Sequence, residues 1–306
     1  MPYQHRENPE FSWSYSRHKK FKDCLREYYY HYYLTHNGWE DDVLDIRKKA
    51  YRLKKLANLD ILIGNEIDKF LKNNLLEEVK PKQLQTEILQ NVKRKYDKAE
   101  YNKNNPELYQ KWESDPKRNL MLREVYYEEE FSDKKSNRIK SKIENATHNI
   151  PYALSYNHIE EKKDIIETSQ ADDFKHFIFN NLKVYAMPDL IYKNPSGEII
   201  IVDWKTGKYK PSQDKGQLYI YAYYYFNKYQ EKRVKTRLEY LTEGKKYERM
   251  FTLEDMKKFK ELITNSVKSM KSYTISQQNK AIEMESFSKT ENDFKCKYCN
   301  FKELCN

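Results

Sequence analysis

The chain has 306 residues, enough for one large domain or one domain carrying an insertion. Charged residues make up 34% of it and hydrophobic ones 38%, with a mean hydropathy of −1.07, yet 28 Tyr and 13 Phe supply aromatic surface to bury, which argues against a disordered chain. The net charge of +10 favours a polyanionic partner, with a plain lysine-rich surface as the alternative, and no run approaches the ~20 apolar residues of a membrane span.

The start, MPYQHRENPEFSWSYS, lacks a basic-then-apolar signal pattern. A cytoplasmic protein is expected, with its cysteines as thiols or metal ligands. Ser14 or Ser16 is placed to cap a helix through Phe21, Cys24, Leu25, Tyr28 and Tyr32. A second helical pattern covers 42–75, with Leu53, Leu56, Ile63, Ile67, Phe70 and Leu71 on its apolar side. The stretch 79–150 reads as charged helices, a helical insertion, with breaks at Asn104-Asn105-Pro106 and Asp115-Pro116.

After about residue 165 strands take over, and 160–252 reads as an α/β core. Leu182 to Met187 reads as a strand that continues through Asp189-Leu190-Ile191-Tyr192. Asn194-Pro195-Ser196-Gly197 is a turn, and Ile199-Ile200-Ile201-Val202 is a β-branched run suited to a strand buried on both faces. A helix is expected over 212–229, then two short strands around Glu243-Gly244. Thr252 and Asp255 open a last long helix with Met256, Phe259, Ile263, Val267 and Met270 as its stripe. The order indicates a mixed α/β domain.

The hairpin carries the chemistry. Asp189 lies in its first strand, and Asp203-Trp204-Lys205 ends its second. Alternation puts Asp203 and Lys205 on one face. Two carboxylates can hold Mg²⁺ or Mn²⁺, hard cations that prefer oxygen. Such an ion activates water and neutralises a phosphate under attack, while a lysine stabilises developing charge. Lys205-Thr206-Gly207-Lys208 adds a glycine where a phosphate backbone would approach. The bare triplet is cheap in so charged a chain: Asp115-Pro116-Lys117, Glu161-Lys162-Lys163 and Asp173-Phe174-Lys175 match it too. Only Asp203-Trp204-Lys205 follows an apolar strand and leads through a glycine turn into a helix.

Pro188-Asp189, thirteen residues, Asp203-Trp204-Lys205-Thr206-Gly207, then Gln217-Leu218-Tyr219-Ile220-Tyr221 resembles the RecB-like branch of the PD-(D/E)XK nucleases. The resemblance implies a restriction-endonuclease-like mixed β-sheet flanked by helices, with an added N-terminal helical region. It implies Asp189 and Asp203 as metal ligands, Lys205 as catalytic, and Gln217 and Tyr221 facing DNA and the active site. That branch carries an early Gly-x-x-x-His whose histidine is a further ligand. Here the nearest match, Gly64-Asn65-Glu66-Ile67-Asp68, has an aspartate in that place. Asp68 is either an oxygen ligand or, with Glu66, a solvated helix residue.

Cys24, Cys296, Cys299 and Cys305 are the only cysteines, and three of them fall within ten residues. Four thiolates suit Zn²⁺ or an iron–sulfur cluster, with buried thiols as the plain alternative. The one-plus-three spacing, with Cys296-Lys297-Tyr298-Cys299-Asn300-Phe301-Lys302-Glu303-Leu304-Cys305, resembles the iron–sulfur members of the RecB-like family, including AddB-type subunits and CRISPR-associated exonucleases. It implies a [4Fe-4S] cluster joining the chain ends, with zinc as the lesser alternative.

The tyrosine runs at 28–33 and 219–225 are expected to build core, not to stack bases. The reading is therefore an Mg²⁺- or Mn²⁺-dependent exonuclease or end-processing enzyme acting on DNA, single-stranded or with free ends, beside a helicase or other DNA-processing partner. An inactive DNA-binding scaffold and a restriction-type endonuclease are its competitors.

Overall fold

The structure, a computed structural model, describes residues 5–159, 161–168, 174–275 and 278–305. Ser14 accepts from the Arg17 amide and starts helix α1, Tyr15–Asp23. The helix expected to run on to Tyr32 breaks at Cys24, which is extended at φ −164°. The Cys24 sulfur instead caps α2, Leu25–Tyr29, by accepting from the Glu27 amide at 3.4 Å. A π turn continues through Tyr30–Leu34.

The helix expected over 42–75 also splits, into α3, Asp45–Lys55, and α4, Leu59–Asn73. Between them the Ala57 amide donates to Met121 O, and Asn58 accepts from Ile61 N as the cap of α4. An amide spent on a distant segment of the chain cannot continue the helical ladder. The charged stretch resolves into α5, Pro81–Asn104, α6, Pro106–Ser114, α7, Arg123–Tyr126, and α8, Asp133–Asn149. Pro106 opens α6, where its missing amide is no loss. A short α9, Leu154–Asn157, leads to the sheet.

The strands of the two larger sheets are β1 (Ser12–Trp13), β2 (Ile165–Thr168), β3 (His176–Phe179), β4 (Leu182–Tyr185), β5 (Leu190–Lys193), β6 (Ile199–Lys205), β7 (Arg233–Tyr240) and β8 (Lys245–Thr252). The central sheet has the order β2-β5-β6-β7-β8, and β1-β4-β3 form a small second sheet. The expected hairpin is β5 and β6, with Gly197 at φ +83°, a conformation that a side chain would strain. β6 and β7 are parallel, so the chain must cross over, and α10, Pro211–Tyr229, makes the crossing. β7 and β8 are antiparallel, and α11, Met256–Lys271, follows the Thr252 amide bonded to Asp255.

The strand expected over 182–192 is two strands in two sheets. Pro188, with no amide hydrogen to give a ladder, lies at the switch. β2 and β3 have four residues each and leave no readable alternation.

Alternation along β6 divides the core. Ile200, Val202 and Trp204 face the side of α4, α5 and α8, and Ile201 faces α10 and α11. Tyr28, Tyr30, Tyr33, Tyr221, Tyr224 and Tyr225 are buried, as expected of core tyrosines. The end of β6 thus lies at a seam between two packed layers, and its polar residues are held by both.

His31 is a half-buried base on the π turn after α2, with its ring against Tyr32 and Phe301. Its Nδ1 has no hydrogen-bond partner among the described residues, and burial, aided by Lys54, pushes its pKa down to about 2. Unfolding frees His31 to take up a proton below ~6.5, so the unfolded state binds more protons and stability falls as the pH drops. The unfolding free energy is expected to decline with acid below ~6.5, by at most about 1.4 kcal/mol per pH unit from this residue, and the thermal midpoint with it. His31→Phe should flatten that slope in melts between pH 7 and pH 5.

Candidate active site

Asp189, Asp203, Lys205, Gln217 and Tyr221 meet at the C-terminal end of β6. The Asp189 amide donates to Val202 O at 3.1 Å, one step beyond the Leu190–Val202 pair, which sets the two aspartates side by side. Asp189 Oδ2 accepts from the Trp204 amide at 2.7 Å. Asp203 is only 4% exposed. Its Oδ1 accepts from the Tyr221 hydroxyl at 2.9 Å. Its Oδ2 lies 2.6 Å from Lys205 Nζ yet has no hydrogen-bond partner of good geometry among the described residues. Lys205 Nζ donates instead to Gln217 Oε1 at 3.0 Å, and Gln217 Nε2 donates to Tyr221 Oη. Gln217 and Tyr221 are one turn apart on α10, which is why both reach the same strand end.

These contacts fix the protonation states. Burial first, then Asp203 and Asp68, pushes the Asp189 carboxyl well above the usual range, opposed by Lys72 and the Trp204 amide. Burial opposes the charge of Lys205, but Asp203 and Asp189 outweigh it and hold Lys205 above its ordinary value. Lys205 is therefore a stable ammonium, fitted to neutralise developing negative charge and not to act as a base. Burial and the two aspartates raise the Tyr221 phenol, so it stays a donor.

Asp68 approaches from the opposite layer. Gly64, Asp68 and Lys72 lie a turn apart on α4. A Cβ on Gly64 would stand 3.1 Å from Thr206 Oγ1, so α4 is seated against the turn after Lys205. Asp68 does not join the pair directly. Lys72 Nζ stands between them, 2.8 Å from Asp68 Oδ2 and 3.7 Å from Asp189 Oδ1. Glu66 turns away to pair with Lys95. Gly207 has nothing within 4 Å of a would-be Cβ, which leaves the turn open to an incoming chain.

Sequence reasoning missed Lys72 because a Lys four residues after an Asp looks like an ordinary surface pair. It also missed the brace behind Trp204, whose Nε1 donates to Ser155 Oγ at 3.1 Å. Ser155 N in turn donates to Glu239, which pairs with Arg237. This buried set locks Trp204, and with it the orientation of Asp203 and Lys205. The other matching triplets are structural: Asp115 Oδ1 accepts from Arg118 N, and Glu161 caps a short turn. Asp173 lies outside the described residues.

The donor set fits a hard divalent cation. Asp203 Oδ2 and Asp189 Oδ1 are each turned toward a cation already, Lys205 at 2.6 Å and Lys72 at 3.7 Å. The ion would supply an activated water and neutralise phosphate charge. Among the described residues no three His, Cys, Asp or Glu side chains stand in a group that grips an ion as placed.

The four cysteines, from opposite ends of the chain, line one cavity of about 400 Å³. All are free thiols. Cys24 Sγ accepts from Glu27 N and Cys299 Sγ from Phe301 N, each at 3.4 Å. Burial pushes Cys299 up to about 12 and raises Cys305 as well. Lys289, Lys295, Lys297 and Lys302 ring the cavity, a cationic wall suited to a thiolate-bound group. Independent bonds pin the C-terminal end there: Tyr30 Oη donates to Leu304 O at 2.7 Å, and Asn300 Nδ2 donates to Leu56 O at 2.9 Å.

No helix among the described residues is long and apolar enough to cross a membrane. A family model for the PD-(D/E)XK nuclease superfamily matches residues 12–306. No curated protein matches the chain.

Proposed function

The chain belongs to the PD-(D/E)XK nuclease superfamily, with its mixed α/β restriction-endonuclease-like fold, and from that premise we propose that it is an Mg²⁺- or Mn²⁺-dependent DNA exonuclease or end-processing enzyme of the RecB-like branch. The observation that carries this reading is the single connected set of Asp189, Asp203, Lys205, Gln217 and Tyr221, with the buried Asp203 Oδ2 paired to the Lys205 ammonium at 2.6 Å.

Asp189 and Asp203 would hold the metal, which would supply an activated water. Lys205, fixed by Gln217, faces the phosphate under attack and offsets its growing charge. Tyr221 fixes Asp203, and the Trp204 amide fixes Asp189, so both oxygens keep their aim without metal. The products are a 5′-phosphate and a 3′-hydroxyl. The chain is one domain whose helical segment 79–150 is an insertion on the 160–252 core. The net charge of +10 supports a nucleic acid substrate, with binding that weakens steeply as salt rises.

Cys24, Cys296, Cys299 and Cys305 hold a [4Fe-4S] cluster that fastens the chain ends, with zinc as the lesser alternative. Repair, recombination or defence, beside a helicase, is the setting this chemistry suits.

One observation favours a second reading, a DNA-binding protein that does not cut: Lys72 already pairs with Asp68, the residue in the place of the branch's histidine. Linear DNA labelled at either end, incubated with Mn²⁺, Mg²⁺ or EDTA, separates the two. Cleavage that needs metal and disappears in Asp203→Ala supports the nuclease. Salt-sensitive binding without cleavage supports the second reading. Gly64→Val should push α4 off Thr206 and lower cleavage about 10- to 100-fold, with melts showing the fold retained.

A further inference from the structure

We propose that Lys72 is a built-in counter-cation that fills the Asp68–Asp189 side of the site and limits it to one divalent ion. The inference rests on the reading of Asp189 and Asp203 as metal ligands. Lys72 is not a loose surface lysine. Its side chain keeps only 10% of its surface, against 24% for Lys205. An ammonium so enclosed needs partners, and it has Asp68 at 2.8 Å and Asp189 at 3.7 Å. The seat is firm, because α4 rests on Thr206 at Gly64, two turns before Lys72.

Asp189 Oδ2 is tied to the Trp204 amide, so Oδ1 is the oxygen turned to Lys72. A second ion, at the ~3.5–4 Å separation of two-metal sites, would have to bind Asp68 and Asp189 where the ammonium sits. Charge gives the same answer. Asp68, Asp189 and Asp203, set against Lys72 and Lys205, leave at most one net negative charge, which suits one divalent ion. Lys72 thus brings the fixed positive charge that a second ion would otherwise supply.

The test counts Mn²⁺ bound to the full-length protein, by the resonance of the free ion and by calorimetry, with no DNA present. The wild type should bind one ion at this site. Lys72→Met should take up a second, and bind the first about tenfold tighter or more once a like charge ~4 Å away is gone. Lys72→Gln, which keeps a hydrogen bond to Asp68, should do the same if the Met variant fails to fold. Lys72→Arg should stay at one, and Asp68→Asn added to Lys72→Met should return to one. Two ions in the wild type, or one ion in folded Lys72→Met and Lys72→Gln, overturns the proposal. A wild type that binds no Mn²⁺ removes the metal-ligand reading and this inference together. One that binds a single ion but cuts no DNA removes only the nuclease.

Discussion

Asp189→Asn is expected to raise the thermal midpoint near neutral pH while abolishing metal-dependent cleavage. Asp189 is held above the usual carboxylate range by burial first, and then by Asp203 and Asp68. An acid whose folded pKa is raised keeps its proton in the folded state where the unfolded chain has lost it. Stability then falls as pH rises above ~4 and is lowest once the folded group ionises. Asn cannot ionise, so it carries no such pH-dependent cost, and it still offers an oxygen to the Trp204 amide. The gain should be on the order of 1–2 kcal/mol, reduced because Lys72 is left with Asp68 alone. Cleavage should fall by ~10³-fold or more, since one of two ligand carboxylates is gone. Mn²⁺ should raise the wild-type midpoint by mass action and leave the variant's nearly unmoved. Melts at pH 5 and pH 8, with and without Mn²⁺, check both halves. A variant that is less stable at both pH values and still cuts would show that Asp189 is neither destabilising nor a ligand.

The site was legible in the sequence where local pattern and chemistry coincide. The β-branched run before Asp203, the Asn-Pro-Ser-Gly turn and the apolar stripe of α10 each act over a few residues, and together they set Asp189 beside Asp203. Legibility ended where a residue serves a distant partner. Cys24 reads as a helix-interior residue, but its sulfur caps the next helix and faces the C-terminal cysteines. Ala57 reads as helix until its amide is claimed by Met121. Asp68 reads as either an oxygen ligand or, with Glu66, a solvated helix residue, and only the folded layer brings Lys72 and Asp189 to it. Trp204 reads as a spacer between two functional residues, yet its amide and indole both hold the site.

Cys24→Ser is expected to remove the metal group from the cysteine cavity while leaving the local helix intact. Serine is a preferred N-cap and can accept from the Glu27 amide as the sulfur does. The loss can therefore be assigned to ligation and not to the cap. Cys24→Ala, which removes both, should cost about 1 kcal/mol more. Ligation at the four cysteines would join residues at opposite ends of the chain, and its free energy would add to that of folding. Its loss should lower the thermal midpoint by ~5 °C or more. Complete unfolding is not expected, because Tyr30, Tyr127 and Leu56 still bind residues 300–304 directly. Visible absorption, iron and zinc content and a melt on anaerobically purified protein decide the matter. Absorption and iron that vanish in the variant assign an iron–sulfur cluster, and zinc without colour assigns the alternative. A wild type with neither metal leaves free thiols, none of them fully buried, and the variant's melt should then match the wild type's. Cleavage that survives in folded Cys24→Ser makes the group a fastener for the chain ends, while its loss with Asp189 and Asp203 untouched would couple the two sites through α1, whose Tyr15 donates to Gln213 O at the start of α10.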